Sequence, residues 1–256
     1  MRVFVIIQAR LNSSRLPGKI FYKLANKTVI EWCIYRSKKV SNINGVMIVS
    51  PNDTLHRPLK SYFNELNCEY FLGDEKDVLS RYYYGAKSVN ADIIIRITSD
   101  CPLVDPTIVD SLYERMKNEK LDFITNMAPP SWPHGLDVSI FNIKTLSMAH
   151  KNAKSLLDRE HVVPWMWKNS EINNKNIIKG KNISLENVYN NHRWTIDTIK
   201  DYCYFKKLEL FFGDKIFKKW NWQTAIKNIN SNKLLLDDLN EIRDINYWKK
   251  YIEEKA

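Results

Sequence analysis

Four apolar runs fall in the first hundred residues: VFVIIQA (3–9), GVMIVS (45–50), CEYFLG (68–73) and DIIIRITSD (92–100). Between them, apolar residues recur at helical spacing. This alternation constrains the fold more than any other feature. A run apolar at consecutive positions is buried on both faces, as in a parallel strand covered by helices on either side. The segments TVIEWCIYRSKKV (28–40), LHRPLKSYFNEL (55–66), DVLSRYYYGAKSV (77–89) and DPTIVDSLYERMKNE (105–119) are the predicted helices. The βαβα order implies an α/β fold with a doubly wound, mainly parallel, Rossmann-like sheet.

After Lys120 the rhythm loosens. Strands are predicted at LDFITN (121–126) and LDVSIF (136–141), with a Pro-rich loop (128–135) between them and a helix over 143–153. LLDREHVVPWMWKN, a polar Asn/Lys stretch and HRWTIDT lead to a C-terminal helical tail over about 200–256. With no internal repeat and no clean linker, the expectation is one domain over 1–256 with an insertion near 130–190. At 256 residues and 44% hydrophobic the chain can bury a sizeable core.

Its apolar runs are far shorter than the roughly 20 residues of a membrane span, and the N-terminus runs directly into a strand, so a cytoplasmic protein is expected. Four dispersed cysteines without a CxxC pair suggest reduced thiols rather than a zinc site or a disulfide framework. The net charge of +10 comes mostly from lysines scattered among asparagines in the second half. That scatter argues against nucleic acid as a partner and for a small anionic ligand.

One local cluster of cations stands apart from this scatter. In an open α/β sheet, ligands bind at the carboxyl ends of the strands, and the loop after the first strand is the favoured phosphate cradle. Arg10, Arg15 and Lys19 all fall there, with Ser13 and Ser14 as hydroxyl donors and Gly18 permitting unusual backbone angles. Neither GxxxxGK[ST] nor GxGxxG is present, which disfavours ordinary NTPases and dinucleotide-binding dehydrogenases. Lys19 is expected to be an exposed loop lysine, and the alternative for the whole stretch is a solvated basic loop.

These residues carry a resemblance. IIQARLNSSRLPGK resembles the signature of the cytidylyltransferases that activate acidic sugars, including the enzymes making CMP-sialic acid and CMP-Kdo. GDEKDVLSRY (73–82), ADIIIRITSDCPLVDP (91–106), GLDVSIF (135–141), REHVVP (159–164) and RWTIDT (193–198) follow in order. The ordered set is most similar to the branch typified by the spore coat polysaccharide biosynthesis protein SpsF. Asn12 stands where that family commonly has Gly and is expected to keep a left-handed turn. IVSPNDT (48–54) stands where a more Thr/Ser-rich strand end is usual.

The resemblance implies the nucleotide-diphospho-sugar transferase fold and Mg²⁺-dependent transfer of CMP from CTP to an acidic sugar, by a homodimer in surface polysaccharide biosynthesis. Such a reaction needs cations around the triphosphate and carboxylates for the metal. Carried over on the matching motifs, Asp100, which ends the run DIIIRITSD, and Asp197 are the metal carboxylates. Arg10, Ser14, Arg15 and Lys19 take the triphosphate, Lys19 and Arg10 also being catalytic. The backbone at Ala9 and Leu11 lies beside the nucleotide, as does Arg81. Asp137 is suited to sugar hydroxyls, Arg159 and His161 to an acidic group, and Glu160 to orienting either partner.

Plainer roles stay open. Asp100 alone reads as a turn residue, Asp77 as a helix cap, and DREHVVP as a capped, charged helix start. Trp132, Trp165 and Trp167 are suited to core or interface as much as to stacking on a ring. A glycosyltransferase of similar fold, a transferase using another NTP, and a non-catalytic nucleotide-binding protein are the competing functions. The first would offer a DxD motif after the central strand, whereas SDCPL carries one aspartate.

Overall fold

A computed structural model of the protein describes residues 1–236 and 243–253. Apart from a 3-10 turn at Lys19–Phe21 and a small pair of strands, Lys23–Leu24 with Lys27–Thr28, the first half alternates: β1 (Val3–Gln8), α1 (Val29–Ser37), β2 (Gly45–Pro51), α2 (Leu59–Glu65), β3 (Glu69–Gly73), α3 (Val78–Ser88), β4 (Ile93–Thr98) and α4 (Pro106–Asn118). The remainder contributes β5 (Phe123–Thr125), β6 (Ser139–Asn142), α5 (Ile143–Asn152), α6 (Leu156–His161), α7 (Pro164–Lys168), β7 (Gly180–Asn182) and α8 (Ile199–Phe212), followed by shorter helices.

Local chemistry sets several helix starts. Thr28 and Thr198 close capping boxes with Glu31 and Asp201, while Asp77 and Asp105 accept the first free backbone N–H groups of α3 and α4. The helix expected from Leu55 begins only at Leu59. Pro58 lacks an N–H and restricts Arg57 before it, so residues 53–58 stay in turns.

Strands β1 to β7 form the main sheet in the order β3-β2-β1-β4-β6-β5-β7, with β6 antiparallel to its neighbours and every other pairing in this sheet parallel. This is the expected doubly wound, mainly parallel α/β fold. Alternation along β1 divides the core: Val3, Val5 and Ile7 pack on the α1 and α4 side, and Phe4 and Ile6 on the α3 and α5 side. The chain leaves β1 for β2 on one side, and β4 flanks β1 on the other, so a crevice opens beyond Gln8 and Thr98.

β7 lies inside the Asn/Lys-rich stretch and was not anticipated. Three residues paired with β5 carry no apolar period of their own; pairing with an existing strand makes them one. Among the described residues no helix is long and apolar enough to cross a membrane.

Candidate active site

β1 ends at Gln8, and its last ladder bond runs from the Ala9 N–H to the Val49 carbonyl. The chain then turns through Arg10–Gly18. The Leu11 carbonyl accepts from both Ser13 N–H and Gly18 N–H, each at 2.9 Å, which closes the loop on one residue. Gly18 is left-handed with φ +67°, where an L side chain would be strained, whereas Asn12 does not have positive φ. The turn therefore depends on Gly18 and the two bonds to Leu11, not on a left-handed Asn12.

The loop delivers Lys19 inward. Its side chain is buried, and Nζ donates to Asp100 Oδ2 at 2.6 Å and to Asp197 Oδ1 at 2.8 Å. Arg15 approaches the same Asp197 oxygen at 3.0 Å, and Arg193 donates to the other, Oδ2, at 3.1 Å. Lys19 is only 8% exposed, so the expectation of a solvent-facing lysine fails. Asp100 lies two residues beyond β4, in the following turn, rather than at the strand end. Burial pulls the Lys19 ammonium down, but the two carboxylates outweigh it and hold the group above its ordinary value. Burial pushes Asp100 up, yet Lys19 outweighs that and brings it to about 2.

The crevice, about 240 Å³, is lined by Ala9, Arg10, Ser14, Arg15, Lys19, Arg81, Asp100, Glu160, His161 and Asp197 from the expected set. Ser13, expected as a hydroxyl donor, also lines it, and Gln8, Val78, Thr98 and Ser99, which no motif singles out, join them. Leu11 does not line it, because its backbone groups are engaged in holding the loop. Arg81 reaches it from α3 while donating to the carbonyls of Asp74 and Glu75. Burial and the neighbouring Arg10 lower the Arg81 guanidinium, the signature of crowded positive charge. Burial, together with Arg96 and Arg10, lowers His161 as well, against the opposing pull of Glu160.

Arg159, Glu160 and His161 are the last three residues of α6, not a helix start. Successive helical side chains diverge by about 100°. Glu160 and His161 therefore face the crevice while Arg159 points away, donating to Asp77 and to the carbonyls of His150 and Ala153. Its guanidinium is committed to holding α6 against the start of α3. Asp137 is also elsewhere, in a second cavity of about 380 Å³ lined by His134, Asn190, Arg193, Arg243 and Tyr247 among others. Arg243 grips both Asp137 oxygens at 2.8 Å.

Arg193 joins the two spaces, donating to Asp197 Oδ2 and to His134 Nδ1, each at 3.1 Å. Sequence reasoning passed over it although it lies four residues before Asp197 in a quoted motif. Gly135 makes this junction possible: at φ +111° its backbone lies against Trp194, and a Cβ would sit 2.3 Å from the Trp194 carbonyl oxygen. Trp165 and Trp167 are core residues, as is Trp132.

Two carboxylates converging on one cation, with Arg15 and Arg193 on Asp197 and Arg10 and Arg81 on the crevice wall, are chemistry for a metal-bound polyphosphate. Among the described residues no three His, Cys, Asp or Glu side chains cluster as a metal cage. Comparison with known proteins narrows the reading. A solved cytidylyltransferase from Leptospira borgpetersenii superposes with TM-score 0.84 at 28% identity, covering 95% of this chain and 99% of its own. An uncharacterized protein of Methanocaldococcus jannaschii is 30% identical over 91% of this chain and 96% of its own length. The spore coat polysaccharide biosynthesis protein SpsF of Bacillus subtilis is 24% identical over 83% of this chain and 88% of its own length. Residues 4–219 match the family model described as cytidylyltransferase. With crevice, carboxylates and relatives in agreement, the chain belongs to the cytidylyltransferase family and is a nucleotidyltransferase.

Proposed function

We propose that the protein transfers CMP from CTP to an acidic sugar in surface polysaccharide biosynthesis, releasing pyrophosphate. The observation that carries this reading is Lys19, held between Asp100 and Asp197 in the crevice. A sugar hydroxyl oxygen attacks the α-phosphorus, giving up its proton to solvent, and the bond to the bridging oxygen of the β-phosphate breaks with its electron pair leaving on pyrophosphate. Lys19, Arg15 and Arg10 supply the positive charge that this shift of electrons requires, and the Ser14 hydroxyl is placed to donate to a phosphate oxygen. Arg81, on the wall of the same crevice, would bind the nucleotide.

The carboxylates also fit a hard divalent cation, because Asp100 and Asp197 each present an oxygen to one point. Phosphate oxygens and water complete the shell that Mg²⁺ takes, with one or two carboxylates supplied by protein. When bound there, Mg²⁺ would neutralise charge on the triphosphate. Before it binds, Lys19 keeps the two carboxylates from facing each other uncompensated.

The cavity beside Arg193 suits the acceptor. Arg193, Arg243, His134 and Asn190 line it, with Arg243 and Asp137 paired to each other, and the acidic character of the acceptor rests on the family resemblance. Glu160 and His161 would face the triphosphate side of the same acceptor. On this reading the enzyme works in the cytoplasm as a homodimer. The test is pyrophosphate release with each of four NTPs, Mg²⁺ and paired acidic and neutral sugars. Turnover should require CTP and an acidic sugar; faster turnover with another NTP, or with a neutral sugar, overturns the corresponding half.

A further inference from the structure

The loop after β1 is held from outside by a pair of residues that the reaction does not use. His56 is 1% exposed, and its Nε2 accepts the Leu11 N–H at 2.9 Å across 45 residues of sequence. Its Nδ1 lies 2.7 and 2.8 Å from the two oxygens of Asp53. A backbone amide can only donate, so Nε2 carries no proton. The ring is then the neutral tautomer with its proton on Nδ1, facing Asp53. Burial pushes the Asp53 carboxyl up, but the hydrogen bonds from His56 outweigh it and hold it below its ordinary value.

The support is itself anchored. Asp53 Oδ1 accepts the N–H groups of Leu55 and His56 at 2.9 Å, forming a turn directly after β2. The Tyr70 hydroxyl on β3 donates to the His56 carbonyl at 2.7 Å, and Asn52 N–H donates to the Gly73 carbonyl at 2.8 Å. Leu11 is the residue on which the cationic loop closes, since its carbonyl takes both Ser13 and Gly18. With the sheet ladder ending at Ala9, the Leu11 N–H has no strand to pair with. His56 takes that place, and both backbone groups of the pivot are then fixed.

We propose that Asp53 and His56 are positioning residues that fix the anion-binding loop through the Leu11 amide, so that Arg15 and Lys19 meet the triphosphate preformed. The proposal rests on the reading of this loop as the triphosphate site, and it adds a specific reason for the turn 52–58. Fixing a loop before binding strengthens association by removing an ordering cost.

Two variants separate positioning from bulk packing. His56→Gln places its Oε1 where Nε2 lies and keeps an acceptor for Leu11, whereas His56→Asn ends a bond shorter, near Nδ1, and loses it. Amide hydrogen exchange at Leu11, read by NMR on labelled protein, should stay slow in wild type and His56→Gln and become fast in His56→Asn. Calorimetry with CTP and Mg²⁺ should give about tenfold weaker binding for His56→Asn and less than threefold for His56→Gln, in line with one hydrogen bond. A protected Leu11 amide in His56→Asn, or equal loss in both variants, overturns the proposal. Failure of wild type to bind CTP would instead sink the proposed function, while the exchange comparison would still decide the role of His56.

Discussion

Lys19 and Asp100 meet at 2.6 Å from opposite sides of the crevice, one from the loop after β1 and the other from the turn after β4. Because β1 and β4 are neighbours in the sheet, their carboxyl ends bring the two residues together across 81 positions of sequence. Asp197 completes the group from a third segment. A buried ammonium shared by two carboxylates is a structural joint and, on the proposed function, also a reactive group, and the two roles can be separated by experiment.

Lys19→Ala leaves Asp100 and Asp197 facing each other with little water. Breaking a buried ion pair costs about 3 to 5 kcal/mol, which for a chain of this size lowers Tm by roughly 10 °C. MgCl2 should restore more stability to the variant than to wild type, since it supplies the missing charge. Turnover should fall about a hundredfold. Thermal unfolding with and without Mg²⁺, beside steady-state kinetics, checks this; an unchanged Tm would return Lys19 to the surface.

The acid limb of stability should depend on Asp100. Its carboxyl lies at about 2 in the fold, against roughly 3.9 unfolded, so its contribution is complete above pH 4 and lost as pH falls through 2. The size is about 2 kcal/mol. Lys19 behaves oppositely: raised in the fold, it contributes below the unfolded value near 10.4 and loses that contribution as pH rises through its folded value. Urea unfolding between pH 2 and 7 should show a flatter profile for Asp100→Asn than for wild type, and identical slopes would contradict the assignment.

Arg159→Ala should affect stability and not catalysis. The guanidinium ties α6 to Asp77, the cap of α3, and to two carbonyls, so about 1 to 2 kcal/mol should be lost. KM for the sugar should stay within about threefold of wild type. A larger rise with unchanged Tm would restore the substrate role that its motif suggests.

Gly135→Ala should be among the most damaging single changes. The added Cβ meets backbone, not a movable side chain, and the residue has φ +111°. The cost should exceed about 3 kcal/mol and loosen the junction of His134 with Arg193. Soluble protein with wild-type Tm would show that the segment shifts without penalty.

The sequence determined the elements, because periodicity and caps act over a few residues. Apolar runs specified β1 to β4, Thr28 and Asp77 started α1 and α3, and the local spacing of Arg10, Arg15 and Lys19 gathered three cations on the loop after β1. Only the tertiary structure decided partners. Arg159 meets Asp77 across 82 residues, Arg243 meets Asp137 across 106, and His56 meets Leu11 across 45. A charged side chain is recognisable from sequence as a potential ligand or ion-pair member, but which it becomes depends on the direction its helix turn gives it and on what the sheet order places opposite. Arg159 and Glu160 are adjacent in the chain, yet helical rotation sends one to a structural carboxylate and the other to the crevice.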